Sequence, residues 1–270
     1  MLISIGDRVK PGTYELHSRF ARAANYIRDG RLISLVTSEL GPGPSRIVLR
    51  SRRLSAPDVL SISRRTVSLG ERRFSRAGIP KYESQLRVSA LRNLAIFEQS
   101  LVRHAPAHSL AYLLDARRLP RNSGFRRALA LHMQFAAEEF LAALCEGPQR
   151  RLRNAVKQIA GCGLGLTPSG DDFIAGALIA LRLLNKNEEL ARQIARAAQT
   201  DNALSAHFIE IAAEGRAPED VKRLSDALAN GAARDVREAA LRVIKHGETS
   251  GADLATGLLM TLKECTRGNP

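Results

Sequence analysis

The chain has no tryptophan, and aromatic residues make up only 4% of its 270 positions, so the stacking platforms of single-strand nucleic-acid binders are missing. Its three cysteines, Cys145, Cys162 and Cys265, are odd in number and share no C-x-x-C spacing. Neither a disulfide framework nor a zinc ribbon is expected, and a reducing cytoplasm fits. No stretch of 18 apolar residues occurs, and the apolar start of MLISIGDRVKPG stops after five residues. That is too short for a signal-peptide core or a membrane span, so a cytoplasmic protein with no membrane partner is expected. Lysine is scarce too: 34 of the 41 basic residues are Arg. Arginine suits bidentate contacts to carboxylate or phosphate, although a GC-rich genome produces the same bias without a ligand.

What is present is ordinary in bulk and unusual in charge. Apolar residues are 44% and charged residues 25% of the chain, which describes a folded globular protein with room for one large or two smaller domains. The net charge is +14, which admits nucleic acid, anionic lipid or anionic metabolites as partners. It is unevenly placed. Residues 1–160 hold 28 basic and 12 acidic residues, a net +16, whereas residues 161–270 hold 13 and 15, a net −2.

The texture of the sequence changes near residue 89. From Tyr14 to Ala77, short runs such as LISLVTSEL, RIVLRS and DVLSISRRTVSL alternate with Gly, Pro and Ser, the pattern of short strands. Within this stretch His17 to Arg28 has a more helical spacing, with Phe20, Ala23, Ala24 and Ile27 on one face. Beyond Ser89 the Ala/Leu/Glu/Arg periodicity predicts helices near 89–104, 123–146, 148–160, 170–185, 187–199, 203–214, 218–230, 232–246 and 251–265. The expected organisation is a β-rich region over 1–88 and a helical region over 89–270, an α+β fold.

The densest chemistry lies at Gly161-Cys162-Gly163-Leu164-Gly165-Leu166-Thr167-Pro168-Ser169-Gly170-Asp171-Asp172-Phe173-Ile174-Ala175-Gly176. Alternate glycines free the backbone for close approach to a ligand, and Ser169 with Asp172 has the spacing of a capping box opening the next helix. A fainter copy follows 81 residues later, Thr249-Ser250-Gly251-Ala252-Asp253-Leu254-Ala255-Thr256-Gly257. Both read Ser-Gly-x-Asp-x-x-x-Gly after an amphipathic helix, so two helix starts are expected to converge on one ligand. Asp172 and Asp253, present in both copies, read most simply as caps. Gly176 and Gly257 read as places where a neighbouring helix packs closely. Asp171 has Ala252 as its counterpart, which makes it the first candidate for function. Free N–H groups at a helix start attract an anion while Asp171 repels one. A bridging Mg²⁺ held by Asp171, or an amide group on the ligand, resolves that conflict. The candidate site is therefore Asp171, Asp172, Ser169 and His246 for catalysis, with Gly163, Gly165, Thr167, Gly170, Ser250, Gly251 and Asp253 for binding.

Other motifs are absent or bland. No Lys follows the glycines as a P-loop requires, and the G-x-G-x-G run lacks the strand and spacing of a dinucleotide fold. His104 and His108 are separated by Ala105-Pro106-Ala107, which reads as a helix end rather than a metal site. His132 lacks the H-E-x-x-H partner spacing and reads as a core or surface histidine. His246 complements a helix C-terminus and is a minor acid–base candidate. Ser169 sits in no G-x-S-x-G elbow and has no evident base.

The stretch Gly163 to Gly176, GLGLTPSGDDFIAG, resembles the hallmark of a bacterial family linked to the oxamate carbamoyltransferase complex of anaerobic allantoin breakdown. His246-Gly247-Glu248-Thr249-Ser250-Gly251-Ala252-Asp253 is similar to that family's second signature. His17-Ser18-Arg19-Phe20 with Asn25, and Gly43-Pro44 before Arg46 to Leu49, are looser likenesses. The resemblance implies a subunit that works with other subunits to move a carbamoyl group from oxalurate to phosphate, giving oxamate and carbamoyl phosphate. Such chemistry needs an amide held by carboxylates and an anion held by N–H groups or Arg. The competing readings are a nucleic-acid-binding or regulatory protein using the basic N-terminal region, and a non-catalytic scaffold subunit. The shortage of aromatics disfavours nucleic acid as a partner.

Overall fold

The computed structural model describes residues 1–88, 91–121, 124–186 and 188–267, with the side chains of 145 and 146 left aside. The architecture is α+β, a curled sheet followed by a helical region. By contacts the chain divides into two compact units. The first is Met1–Gln85 with Arg216–Glu219, and the second is Leu86–Gly215 with Asp220–Pro270.

The first unit is one mixed sheet of nine strands: β1 (Leu2–Gly6), β2 (Gly12–Arg19), β3 (Ala23–Arg28), β4 (Arg31–Thr37), β5 (Arg46–Leu49), β6 (Val59–Ile62), β7 (Thr66–Leu69), β8 (Arg72–Ser75) and β9 (Lys81–Tyr82). Their spatial order is β8-β7-β6-β2-β3-β4-β5-β1-β9. Only β4–β5 and β1–β9 pair in parallel. Alternation places Leu60 and Ile62 inside and Val59 outside on β6. The buried side chains of one face, among them Tyr14, Tyr26, Leu35, Ile47 and Leu60, form the core of the unit.

The helix suggested by the spacing of His17 to Arg28 does not form, because those residues make most of the β2–β3 hairpin. Two local forces decide this. Asp29 and Gly30, both at positive φ, make the two-residue turn that joins β3 to β4, the sequence and conformation that favour a tight hairpin. Tyr26, on the supposed polar side of that helix, is fully buried in the sheet and donates its hydroxyl to Pro57 O at 2.9 Å. Phe20, on the supposed apolar face, is 48% exposed.

Arg216 comes back to this unit to meet a buried acid. Asp7 accepts from Arg216 Nη1 at 2.6 Å, from Ser84 N at 3.0 Å and from Ser84 Oγ at 2.6 Å. Removing the acid takes a shared acceptor from three donors, one of them charged, which costs more than a neutral hydrogen bond. Asp7→Ala is expected to lower unfolding stability by about 2–3 kcal/mol, read as a drop in the urea midpoint. An unchanged midpoint would show that the Arg216 segment does not anchor this unit.

The second unit is helical: α1 (Leu94–His104), α2 (Phe125–Glu146), α3 (Gln149–Ile159), α4 (Ser169–Leu183), α5 (Glu188–Ala197), α6 (Ala203–Ala213), α7 (Glu219–Asn230, whose first residue is shared with the other unit), α8 (Ala233–Ile244) and α9 (Ser250–Thr266). These match the helices expected from periodicity to within a few residues. Three of the expected starts, Ser89, Ser123 and Asn187, lie outside the described residues. Two 3₁₀ turns, Leu110–Leu113 and Ala116–Arg118, fill the gap before α2. Helix α4 is buried without interruption from Gly170 to Leu181, as expected of a helix that is apolar nearly all round. Among the described residues no helix is long and apolar enough to cross a membrane.

Candidate functional site

The two Ser-Gly-x-Asp-x-x-x-Gly segments open α4 and α9, and these two helices are the most closely associated pair in the unit. The reason is the glycines. A Cβ on Gly176 would lie 2.0 Å from Leu254 O, and one on Gly257 would lie 2.1 Å from Phe173 O. Residue 254 is the counterpart of residue 173 at the 81-residue offset, so each helix returns the contact that it receives. The helices cross where neither carries a side chain, which brings their backbones together and holds both N-termini at one place.

The correspondence continues into the loops. Gly170 N donates to Cys162 O at 2.7 Å, and Gly251 N donates to His246 O at 2.9 Å. Cys162 N in turn donates to Ile159 O at 3.0 Å, and His246 N to Val243 O at 3.1 Å. A Cβ on Gly170 would strike Ile159 O at 1.9 Å, and one on Gly251 would strike Val243 O at 2.0 Å. Helix, loop and helix therefore occur twice with the same internal bonds. The first loop is three residues longer, which leaves Leu164, Gly165 and Leu166 exposed.

Residues 159–262 match the family model described as oxamate carbamoyltransferase subunit AllH. The match runs from the last residue of α3 into α9, so it takes in both copies, and it links the chain to the family that GLGLTPSGDDFIAG resembles. No curated protein and no solved structure matches the chain.

Where the helix starts of this AllH-matching segment meet, hydroxyls lie above carboxyls. Thr167, Ser169, Thr249 and Ser250 are half-buried, while Asp172 is 6% exposed and Asp253 is 0% exposed. Thr167 Oγ1 donates to Asp172 Oδ2 at 3.1 Å and lies 2.8 Å from Ser250 Oγ. Ser250 therefore reaches the acid of α4, and Ser169 of α4 lies beside the acid of α9. Asp253 Oδ1 accepts from Leu110 N at 2.6 Å.

Burial raises both carboxyls. Asp253 is pushed up to about 6, with the Leu110 N–H and the hydroxyls of Ser169 and Thr249 opposing the rise. Asp172 lies well above the usual carboxylate range, because burial is joined by the charge of Asp253, and Ser250 and Thr167 offset only part of it. Two neighbouring buried acids cannot both ionise cheaply. Each therefore keeps its proton to higher pH than a free aspartate does.

Several sequence expectations change here. The capping box at Ser169 and Asp172 does not form: Pro168 is the N-cap, no side chain caps the helix, and Asp172 turns to Thr167 and Ser250 instead. Pro168 starts the helix without help because its fixed φ suits the entry to a helix. The helix-start N–H groups are also largely engaged. Asp171 N and Asp172 N donate to Pro168 O, and Asp253 N donates to Thr249 O, besides the bonds of Gly170 and Gly251. Asp171 binds the loop itself, since its Oδ1 accepts from Gly161 N at 2.8 Å, while its buried Oδ2 has no hydrogen-bond partner. Among the described residues no group of three or more His, Cys, Asp or Glu is arranged to hold a metal ion. The three nearby aspartates accept from Gly161 N, Thr167 and Leu110 N.

The remaining candidates have other settings. Gly163 and Gly165 lie in the loop at φ 130° and 118°. His246 lies just beyond α8, with Nε2 2.7 Å from Asp220 Oδ2. His132 is exposed with Nε2 3.0 Å from Gln158 O, and His104 is the last residue of α1. Reasoning from sequence missed the 3₁₀ turn that supplies Leu110 N–H and places Tyr112 near Asp253 and Cys162, where burial and their charges raise the phenol. It also missed Asn202, which caps α6 and donates Nδ2 to Leu166 O at 2.6 Å, tying the loop to a third helix start. The break at Asp201-Asn202 carried that signal. Nothing local to residues 110–112 pointed 143 positions ahead.

Proposed function

We propose that the chain is a subunit of a carbamoyltransferase complex and that it binds the carbamoyl end of a small metabolite where α4 and α9 begin. The observation that carries this reading is the meeting of two buried acids, Asp172 and Asp253, both shifted toward the protonated form, beneath the hydroxyls of Thr167, Ser169, Thr249 and Ser250; we assign one shared proton to the pair. A primary amide presents one acceptor oxygen and an N–H₂ donor. A carboxylic acid beside a carboxylate, with hydroxyls that both give and accept, complements that set. The amide N–H₂ is read by Asp253, and its carbonyl oxygen receives donation from Asp172 or a hydroxyl. As charge grows on that oxygen in carbamoyl transfer, the same donors strengthen.

Within this reading Ser169, Thr167, Ser250, Asp172 and Asp253 touch the ligand. Gly170 and Gly251 permit the close turns that present them, and Gly163 and Gly165 shape the loop. Asp171 and His246 are positioning residues, acting through Gly161 N and Asp220. Oxalurate and carbamoyl phosphate carry the carbamoyl group and oxamate a related primary amide, in line with the family match; the partner subunits complete the reaction.

The test is calorimetric titration of the full chain with oxamate, oxalurate, carbamoyl phosphate and inorganic phosphate. The amide-bearing ligands are expected to saturate, and Ser250→Ala to weaken them about tenfold with little change in melting temperature. Binding by phosphate alone, or equal affinities of wild type and Ser250→Ala, would overturn the carbamoyl reading.

A further inference from the structure

Away from the glycine loop, α3 and α5 enclose a cleft of about 420 Å³. That volume suits a small molecule rather than a protein partner. Its floor is apolar, from Leu152, Val156 and Ile194, all buried. Its rim is cationic. Arg153 and Lys157 stand one turn apart on the same face of α3, both exposed, with no hydrogen bond or ion pair among the described residues. On the opposite wall Glu189 is already matched by Arg192 at 3.2 Å and Arg196 at 3.7 Å, so it does not neutralise them.

A second feature of α3 points the same way. Its sequence, QRRLRNAVKQI, contains no acid, and Arg150, Arg151 and Arg153 crowd its N-terminal end. A helix N-terminus is the positive end of the helix dipole and favours anions there, so Arg150 and Arg151 in the first turn oppose the dipole, whereas Lys157 in the last turn suits it. Like charges four residues apart add to the repulsion. Arg151 is relieved by Glu139, bonded at 2.9 and 3.0 Å. Arg153 and Lys157 repel each other and have no such acid partner among the described residues.

We infer that the α3–α5 cleft binds a small, multiply charged anion, with Arg153 and Lys157 as its cationic contacts and the Leu152–Val156–Ile194 floor beneath it. Arginine offers a two-pronged donor to phosphate or carboxylate, and lysine a movable point charge. The site does not depend on the carbamoyl reading. It lies on the helix that leads into residues 160–168, so its occupant also sets the charge at the start of that helix.

The experiment titrates the full chain with pyrophosphate and, separately, with citrate at near-physiological salt. Saturable binding of either is expected, pyrophosphate identifying a phosphate-bearing ligand and citrate a polycarboxylate. The double variant Arg153→Gln/Lys157→Gln is expected to weaken it about tenfold or more. Arg150→Gln, an equal charge loss on the same helix outside the cleft, and Ser250→Ala are both expected to retain it. If neither anion saturates, or if Arg150→Gln loses as much as the double variant, the cleft is not an anion site. Loss on Ser250→Ala would place the anion at the start of α9 and also overturn the inference.

Discussion

Gly176→Ala is expected to destabilise the helical unit strongly. The new Cβ would lie 2.0 Å from Leu254 O and 2.7 Å from Leu258 N, and both atoms are backbone of α9. No side-chain rotation relieves such a contact, so one helix must shift. Shifting is opposed by the packing around the crossing, where Phe173 is fully buried and Leu258 is 1% exposed. Overpacking of this kind sits at the upper end of its usual range, about 3 kcal/mol, or a fall of about 6–12 °C in the melting temperature of a protein this size. Gly257→Ala should behave alike, because its Cβ would meet Phe173 O at 2.1 Å. The double variant should cost less than the two singles together, since one displacement relieves both clashes. Ala177→Gly is the comparison, expected to cost about 1 kcal/mol of helix propensity and about 0.8 kcal/mol for the buried methyl it removes, with no backbone clash. Calorimetry decides: a Gly176→Ala midpoint within a degree or two of wild type would show that α4 and α9 do not rely on this approach.

The same crossing shows what the sequence could and could not disclose. The repeated Ser-Gly-x-Asp-x-x-x-Gly was legible, and so was the close packing at Gly176 and Gly257, because a glycine inside an otherwise apolar helix usually has a neighbour. The helices were legible from apolar periodicity, since in this unit burial and helical spacing agree. The helix proposed for His17 to Arg28 failed where they disagree. Alanines and an aromatic at helical spacing were outweighed by the Asp29-Gly30 turn and by the pairing of β3 with strands on both sides. The roles of the aspartates were half legible. Three acids near two helix starts were plain, but which one binds loop backbone and which two face each other depends on how α4 crosses α9. Asp171 points back to Gly161 of its own loop. Asp172 and Asp253 meet hydroxyls of the opposite copy, across a separation that local spacing does not encode.

The pair of buried acids gives the folded protein a pH dependence of definite sign. In the unfolded chain Asp253 titrates near the ordinary aspartate value of about 3.9; in the fold it titrates at about 6. Below pH ~4 both states hold the proton and the group's full contribution to stability is present. As the pH rises through 6 the folded state must accept a buried charge that the unfolded state carries in water, and that contribution is lost. Two pKa units correspond to roughly 3 kcal/mol, and Asp172 shifts in the same direction. Asp253→Asn removes the charge while keeping the shape. Its carbonyl oxygen still accepts from Leu110 N, and its amide donates to the hydroxyls beside it. The variant is therefore expected to melt at about the same temperature as wild type near pH 4 and at a higher temperature near pH 8. At the same time it should lose affinity for amide-bearing ligands, because an amide in place of the carboxylate presents a donor to a donor. A gain in stability that costs binding is the mark of a residue kept for function rather than for the fold. Equal melting shifts at both pH values would mean that Asp253 is not ionised in the fold, and the carboxylate that the carbamoyl reading assigns to it would fall with it.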